Sequence, residues 1–316
     1  MYIPDILLLI LGLFVLILGG DFLVRGASNI ALKIHISPLV VGLTIVAFGT
    51  SAPELLISIK AALSGSPDLT MGNVVGSNIC NLALVLGVTL LVGPLKVNKD
   101  SIIIDWPMTM GASLILLFIS FSGEISWWEG LLCVIILITY TFFIIRKSRK
   151  ETKLAMAQIE YPDEEASDSS YLKDIGWIIL GGAGLYFGSD WFVEGAKALA
   201  LGIGVSERVI GITVLALGTS LPELVTAIVA SFKGETDLAL GNLLGSNIFN
   251  VLSILGITSM INEISVNEVI LQVDMVWMLG ITALILPMML IKRKMGIVNG
   301  IILLIIYVYY TYTVIS

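Results

Sequence analysis

Two ten-residue stretches set a carboxylate where an apolar segment would have none. "AFGTSAPELL" spans Ala47–Leu56 and "ALGTSLPELV" spans Ala216–Val225. Each brings two hydroxyls, a Gly, a Pro and a Glu into strongly hydrophobic surroundings. A charge deep in a bilayer costs at least about 2.5 kcal/mol on insertion scales and marks function by default. Glu54 and Glu223 therefore call for a cation or a proton. Proline has no N–H, and its ring clashes with the carbonyl four residues back. That carbonyl belongs to Gly49 for Pro53 and to Gly218 for Pro222. Carbonyls around Ala47–Thr50 and Ala216–Thr219 are thus expected to leave the helix ladder. In a bilayer a freed carbonyl must find a partner. Thr50 and Ser51 add hydroxyls one turn before Glu54, as Thr219 and Ser220 do before Glu223. Carboxylate, hydroxyl and carbonyl are all hard oxygen ligands, a set that suits Ca²⁺ and Na⁺ and disfavours soft metals.

A second polar pattern accompanies the first. Asn73, Ser77 and Asn81 recur at i, i+4 and i+8 and share one helix face, and Asn242, Ser246 and Asn250 repeat the stripe. Ser77, Asn81, Ser246 and Asn250 are candidate ligands or pore-lining groups, with interhelical hydrogen bonding as the alternative. Asn73, Asn78, Asn242 and Asn247 read as structural. Gly72 with Gly76, and Gly241 with Gly245, form small-xxx-small pairs that read as helix-packing surfaces. Asp21 and Asp190 fall near span ends, where water is available. Asp105 and Asp274 also lie near ends, and none of the four is assigned to the site.

The elements that must carry these residues follow from composition. The 316 residues are 57% hydrophobic and 13% charged, with mean hydropathy +1.00. A soluble domain is about a quarter charged, so the chain reads as an all-α membrane protein. A span needs roughly 20 apolar residues. Ten can be placed, at 4–24, 37–62, 70–93, 102–122, 126–146, 172–196, 207–232, 239–261, 269–291 and 296–315. The first lacks a basic start and a small-residue cleavage site, so it reads as a retained span. Cys80, Cys133 and His35 have no metal-type spacing, which argues against zinc. "GK" is absent, so no P-loop is present to use ATP, and any transport must run on a gradient. No nucleophile–base constellation is found, so the chain is not expected to be an enzyme. No cofactor or nucleic-acid partner is expected.

Orientation and organisation come from the loops and from an internal repeat. With the N-terminus outside, the inner loops hold fourteen Lys and Arg and the outer loops hold only Lys60, Lys197 and Arg208. That is a strong positive-inside bias, and ten spans then put both termini outside. The two acid motifs lie 169 positions apart (223 − 54). The same offset aligns "GGDFLVRGA" at Gly19 with "GSDWFVEGA" at Gly188, and "MGNVVGSNICN" at Met71 with "LGNLLGSNIFN" at Leu240. Chance similarity of apolar segments would not hold Gly, Pro, Asn and Glu in register. Residues 1–146 form a first five-span repeat and 172–316 a second, joined by a cytoplasmic linker, 147–171. Five is odd, so the second repeat enters the membrane from the opposite side. The expected fold is two inverted-topology repeats with broken helices meeting at the midplane, where such transporters bind substrate.

"GTSAPE" with "GSNICN", and "GTSLPE" with "GSNIFN", resemble the paired α-repeats of the sodium/calcium exchangers of the calcium/cation antiporter superfamily. The resemblance covers nearly the whole chain. It implies an antiporter of the cell membrane that takes Na⁺ and Ca²⁺ as substrates by alternating access, a monomer being sufficient for transport. By position it makes Glu54 and Glu223 the central Ca²⁺ ligands, with backbone oxygens of Thr50 and Thr219. It gives Na⁺ the carbonyls of Ala47 and Ala216 and the side chains of Ser51, Ser77, Ser220 and Ser246. It sets Asn81 and Asn250 facing the middle of the site, and lets spans 1 and 6 slide as a gating bundle. Many relatives carry an Asp where this chain has Asn250. In potassium-dependent relatives that acid goes with K⁺ coupling, so its absence implies K⁺-independent exchange. It also counts against the alternative, a Ca²⁺/H⁺ or broader divalent-cation antiporter. The family's three Na⁺ per Ca²⁺ would make exchange electrogenic.

Overall fold

The structure is a computed structural model that describes residues 3–64, 67–157, 170–202 and 216–315. The beginning of the seventh expected span, 207–215 with Arg208, and the linker residues 158–169 lie outside the described residues. The helices run in chain order as α1 (Ile3–Lys33), α2 (Pro38–Thr50), α3 (Ala52–Leu63), α4 (Leu69–Val92), α5 (Ser101–Ser120), α6 (Trp127–Ala157), α7 (Tyr171–Gly202), α8 (Leu221–Phe232), α9 (Thr236–Ile261), α10 (Ile270–Leu290) and α11 (Ile297–Ile315). A short turn, Ala216–Thr219, precedes α8. Seven of these helices are long and apolar enough to cross a membrane, and α2 with α3, bent by 45°, makes an eighth.

The bend has the cause expected of it. Ser51, at φ −85° and ψ 4°, leaves the helical region, and Pro53 stands in the first turn of α3. There its missing N–H costs nothing, because the first amides of a helix have no intrahelical acceptor. Ser220 and Pro222 repeat the geometry before α8, with φ −90° and ψ 4°.

Four two-residue strands cap the ends of helices: β1 (Leu95–Lys96), β2 (Glu124–Ile125), β3 (Ile264–Ser265) and β4 (Lys294–Met295). β1 pairs antiparallel with β4 (Leu95↔Met295) and β2 with β3 (Ile125↔Ile264). Each ladder joins one half of the chain to the other. Shifting β1 by 169 residues gives β3, so exchange of the halves turns one ladder into the other.

The polar stripes sit in the two most buried helices. The most apolar window of α9 is wholly buried and that of α4 is 78% buried, against 11–39% for the remaining single-helix spans. Outer helices show Leu7, Ile10, Phe14, Phe118, Phe142 and Ile305 on the surface, as lipid-facing helices do. α1 and α7 pack antiparallel along glycines spaced by seven. A Cβ on Gly19 would lie 2.6 Å from Leu185 N, and one on Gly188 2.7 Å from Leu16 N. Only residues without side chains allow backbones so close.

α6 continues past 146 to Ala157, so the first part of the expected linker is helical. Lys147 and Glu151 pair at i,i+4 on its surface at 3.0 Å, and no breaker precedes Pro162. Asp105, expected near a span end, is buried, with 2% exposure. Gly241 and Gly245 pack as expected: added Cβ atoms would lie 2.4 Å from Leu39 O and 2.8 Å from Ala47 Cβ. Among the described residues nothing approaches Gly72 or Gly76.

Candidate cation site

Glu54 and Glu223 are each the third residue of the helix that follows a break, α3 and α8. Both are fully buried. A helix N-terminus carries about half a positive charge from its unpaired amides, which offsets part of the cost of a buried carboxylate. Ser51, three residues before Glu54, bonds to Glu223, so the halves bring the two acids to one place. Like charges held together in the interior call for a cation between them.

Hydroxyls from both halves close around them. Ser51 Oγ donates to Glu223 Oε1 at 3.2 Å, across the boundary between the halves. Thr50 Oγ1 is within hydrogen-bonding distance of Asn242 Oδ1 (3.2 Å), Ser246 Oγ (3.3 Å) and Ala47 O (3.3 Å). Thr50 and Ser246 also stand beside the Glu223 carboxylate. Asn250 Nδ2 donates to Asn78 Oδ1 at 3.0 Å, and Asn78 Nδ2 reaches Asn247 O at 3.4 Å. Asn73 Nδ2 donates to Glu54 O at 3.3 Å and to Ser58 Oγ at 3.0 Å, so it holds the backbone of the acid turn. Asn242, which sequence read as structural, thus touches the cage at Thr50.

Altered helix geometry brings the stripes against the acid helices: the segment with Asn81 packs on α8, which carries Glu223, and that with Asn250 on α3, which carries Glu54. α4 becomes π-helical over Cys80–Val85 and α9 over Asn250–Leu255. A π turn adds a residue to the helical repeat and re-aims the side chains beyond it, and such turns collect at functional sites. Asn81 and Asn250 fall in these turns.

What remains unpaired is mostly oxygen. Both carboxylate oxygens of Glu54, Oε2 of Glu223, Oδ1 of Asn81, Oδ1 of Asn250 and Oγ of Ser220 are buried and find no hydrogen-bond partner among the described residues. Asn81 Nδ2 and Asn242 Nδ2 are unpartnered as well. Buried polar groups are normally satisfied. A surplus of hard acceptors in one place is what a Ca²⁺ or Na⁺ ligand set requires. Ser77 is buried on the same stripe, and Thr219 is half-buried beside Ser220. Among the described residues no three His, Cys, Asp or Glu side chains gather as a metal cluster, so neutral oxygens must supply most of any coordination.

The freed carbonyls differ from expectation. Ala47 O accepts from Ser51 N at 3.0 Å, so it stays in the helix ladder. The physical reason is one of register: Pro53 removes the donor to Gly49, not to Ala47. The Gly218 carbonyl, released by Pro222, accepts from Ser189 Oγ on α7 at 2.5 Å. Ser189 was not singled out by sequence; its hydroxyl next to an Asp near a span end was the only signal. Ala216 begins the turn before α8. A cavity of about 260 Å³ adjoins both breaks, lined by Pro53, Gly218 and Thr219 near the acids and by Lys60 and Asp190 further out.

The family model described as sodium/calcium exchanger protein matches residues 5–146 and 173–316. The sodium/calcium exchanger MaX1 of Methanosarcina acetivorans is 34% identical over 337 aligned positions, covering 96% of each chain. The uncharacterized membrane protein MJ0091 of Methanocaldococcus jannaschii is 33% identical, over 95% of this chain and 94% of that one. Among solved structures, the sodium-calcium exchanger NCX_Mj soaked with 10 mM Na⁺ and zero Ca²⁺ superposes with a TM-score of 0.80, at 31% identity over 98% of both chains.

Proposed function

The chain belongs to the sodium/calcium exchanger family, and from that premise we propose how its duplicated acid motifs carry out the exchange of Na⁺ for Ca²⁺ across a membrane. The observation that carries this reading is the shared cage: two buried glutamates from opposite halves, ringed by hydroxyl and amide oxygens, with most acceptors unpaired. Glu54 and Glu223 give the site a formal charge of −2. One Ca²⁺ neutralises it, and so do two Na⁺. Thr50, Ser51, Ser77, Asn81, Ser220, Ser246 and Asn250, with backbone oxygens of Thr50, Thr219, Ala47 and Ala216, complete the ligand sets. Ala47 O accepts from Ser51 N at 3.0 Å and from Thr50 Oγ1 at 3.3 Å, so it takes up such a role when the Thr50 hydroxyl turns away.

Ten spans in two inverted five-span repeats support alternating access. The antiparallel packing of α1 on α7 and the exchange of strands between halves support that topology. The glycine-lined contact between α1 and α7 lets this pair move as one body against the buried α4 and α9. Cations enter the cage through the cavity between Pro53 and Thr219, whose outer wall carries Lys60 and Asp190. The loop-charge bias puts that side outside, both termini outside and the linker in the cytoplasm, in the cell membrane. A monomer suffices, because both halves of the cage lie in one chain.

Asn250 stands where an acid would serve K⁺, so exchange runs without K⁺. Three Na⁺ per Ca²⁺ would leave the sodium-loaded site at +1. The membrane potential then acts on one charge per cycle with about 2.3 kcal/mol per 100 mV. The test is Ca²⁺ uptake into Na⁺-loaded proteoliposomes, with K⁺ present or replaced by choline and with the potential clamped by an ionophore. Uptake driven by outward Na⁺, indifferent to K⁺ and faster when the interior is made positive, is expected. An absolute K⁺ requirement overturns the Asn250 reading, and flux indifferent to potential overturns electrogenicity.

A further inference from the structure

A third carboxylate lies buried away from the two glutamates. Asp105, in the first turns of α5, accepts a hydrogen bond from the Tyr140 hydroxyl through Oδ1 at 3.1 Å. Its Oδ2 is buried and has no hydrogen-bond partner. Asp105 lines a small cavity at the foot of α2, with Ser37, Asp100, Lys147, Ser148 and Glu151. At about 20 Å³ the cavity takes one water-sized occupant.

The charged and titratable groups facing Asp105 are Asp100 of α5's approach and Tyr140, Lys147 and Glu151 of α6. Lys147 Nζ pairs with Asp100 and with Glu151 Oε1, the latter at 3.0 Å. Its ammonium serves two more exposed carboxylates and makes no hydrogen bond to Asp105. Ser101, one turn earlier, lies beside Asp105 with its hydroxyl also buried and unpartnered. Turning that hydroxyl toward Oδ2 would satisfy both groups, yet the buried charge would still lack a bonded counter-ion. Ser148 Oγ accepts from Ser37 N at 2.8 Å and keeps a lone pair.

We propose that this cavity is a Na⁺ site separate from the exchange site, with Asp105 Oδ2 as the charged ligand, the Ser148 hydroxyl as a neutral one and the Ser101 hydroxyl beside Asp105, outside the cavity lining, as a support. Asp105 is the buried carboxylate of the lining and has no bonded cation, while Asp100 and Glu151 are more exposed and share Lys147, so its single charge matches a monovalent ion. Hard oxygens and a single-occupant volume favour Na⁺. The second half of the chain has the same pair in another setting. Tyr310 donates to Asp274 Oδ1 at 2.9 Å, but Asp274 is half-buried on a cavity of about 240 Å³, where water can solvate it. The more deeply buried version, 2% exposed, occurs at Asp105. An ion there ties α5 and α6 to Ser37, the cap of α2, whose far end carries Thr50.

The test uses the full-length purified protein and equilibrium binding of ²²Na⁺, with choline balancing ionic strength. Glu54→Gln with Glu223→Gln removes the acids of the exchange site, so the outcome does not depend on the transport reading. In that background one saturable Na⁺ per chain is expected to remain. Asp105→Asn is expected to abolish it, Ser101→Ala to raise its Kd, and Lys147→Gln to leave it bound. Ser101→Ala keeps the result interpretable should Asp105→Asn fold poorly. Absence of saturable Na⁺ in the double variant would overturn the site and leave Asp105 a protonated structural acid. Residual Na⁺ indifferent to both Asp105→Asn and Ser101→Ala would overturn it equally.

Discussion

Glu223 accepts a hydrogen bond from Ser51 of the opposite half, whereas Glu54, its counterpart 169 residues earlier, accepts none through its side chain. The difference extends outward from the acids. The Gly218 carbonyl freed by Pro222 is taken by Ser189, but the position matching Ser189 in the first half is Gly20, which has no hydroxyl. Gly245 packs against Leu43 and Ala47, while nothing among the described residues approaches Gly76. Two halves with nearly the same motif therefore hold the same acid in different surroundings. On the alternating-access reading proposed above, the two repeats are expected to be unlike at any instant, since one half's conformation exposes the site to one side and the other's closes it. On that reading duplication provides the ligands, and asymmetry lets them open to one face at a time.

The largest effect that can break this comparison comes from the acids themselves. Glu54→Gln and Glu223→Gln should each lower Ca²⁺ exchange by about 10²–10⁴-fold, from the roughly 3–5 kcal/mol lost when one partner of a buried charge set is removed. Both variants should remain folded and membrane-inserted. Near-normal exchange by either would make that half dispensable. Adding an acid sharpens the comparison. Asn250→Asp should change ion dependence, measured as uptake with and without K⁺, more than it changes Tm. An unchanged ion profile would remove Asn250 from the site.

The serines give a smaller, one-sided test. Ser51→Ala removes a hydrogen bond to a charged acceptor, worth about 1.5–3 kcal/mol. Ser220→Ala removes a hydroxyl that, among the described residues, makes no hydrogen bond to either acid. Ca²⁺ affinity should therefore fall further with Ser51→Ala than with Ser220→Ala, and equal losses would show that the asymmetry has no energetic content. The smallest effect is expected at Ser189. Ser189→Ala leaves the Gly218 carbonyl unpaired and should lower stability by about 1–3 kcal/mol, read as a lower Tm with exchange retained.

Much of this was legible in the residues. The motif register located both acids, both breaks and both polar stripes, because Pro, Gly and Glu are costly in a span and persist only where something compensates them. The contacts between halves were not legible. Ser51 bonds to Glu223 beside a 45° bend, and Asn81 and Asn250 sit in π turns; neither follows from residue type. Ala47 shows where spacing was read too broadly, since the missing proline donor frees the carbonyl four residues back and leaves its neighbours bonded. Asp105 shows that closeness to a span end does not mean contact with water, because α6 covers it with Tyr140. α6 itself outran its apolar stretch, because a charged helical face with i,i+4 pairing needs no bilayer to continue.

The central claim is that two unlike halves make one shared site. Equilibrium ⁴⁵Ca²⁺ binding to the purified chain, competed by Na⁺, tests it most directly. The account predicts one Ca²⁺ per chain, displaced by Na⁺ and lost in Glu54→Gln and Glu223→Gln alike. Two Ca²⁺ per chain, or full binding retained by either single variant, would contradict it.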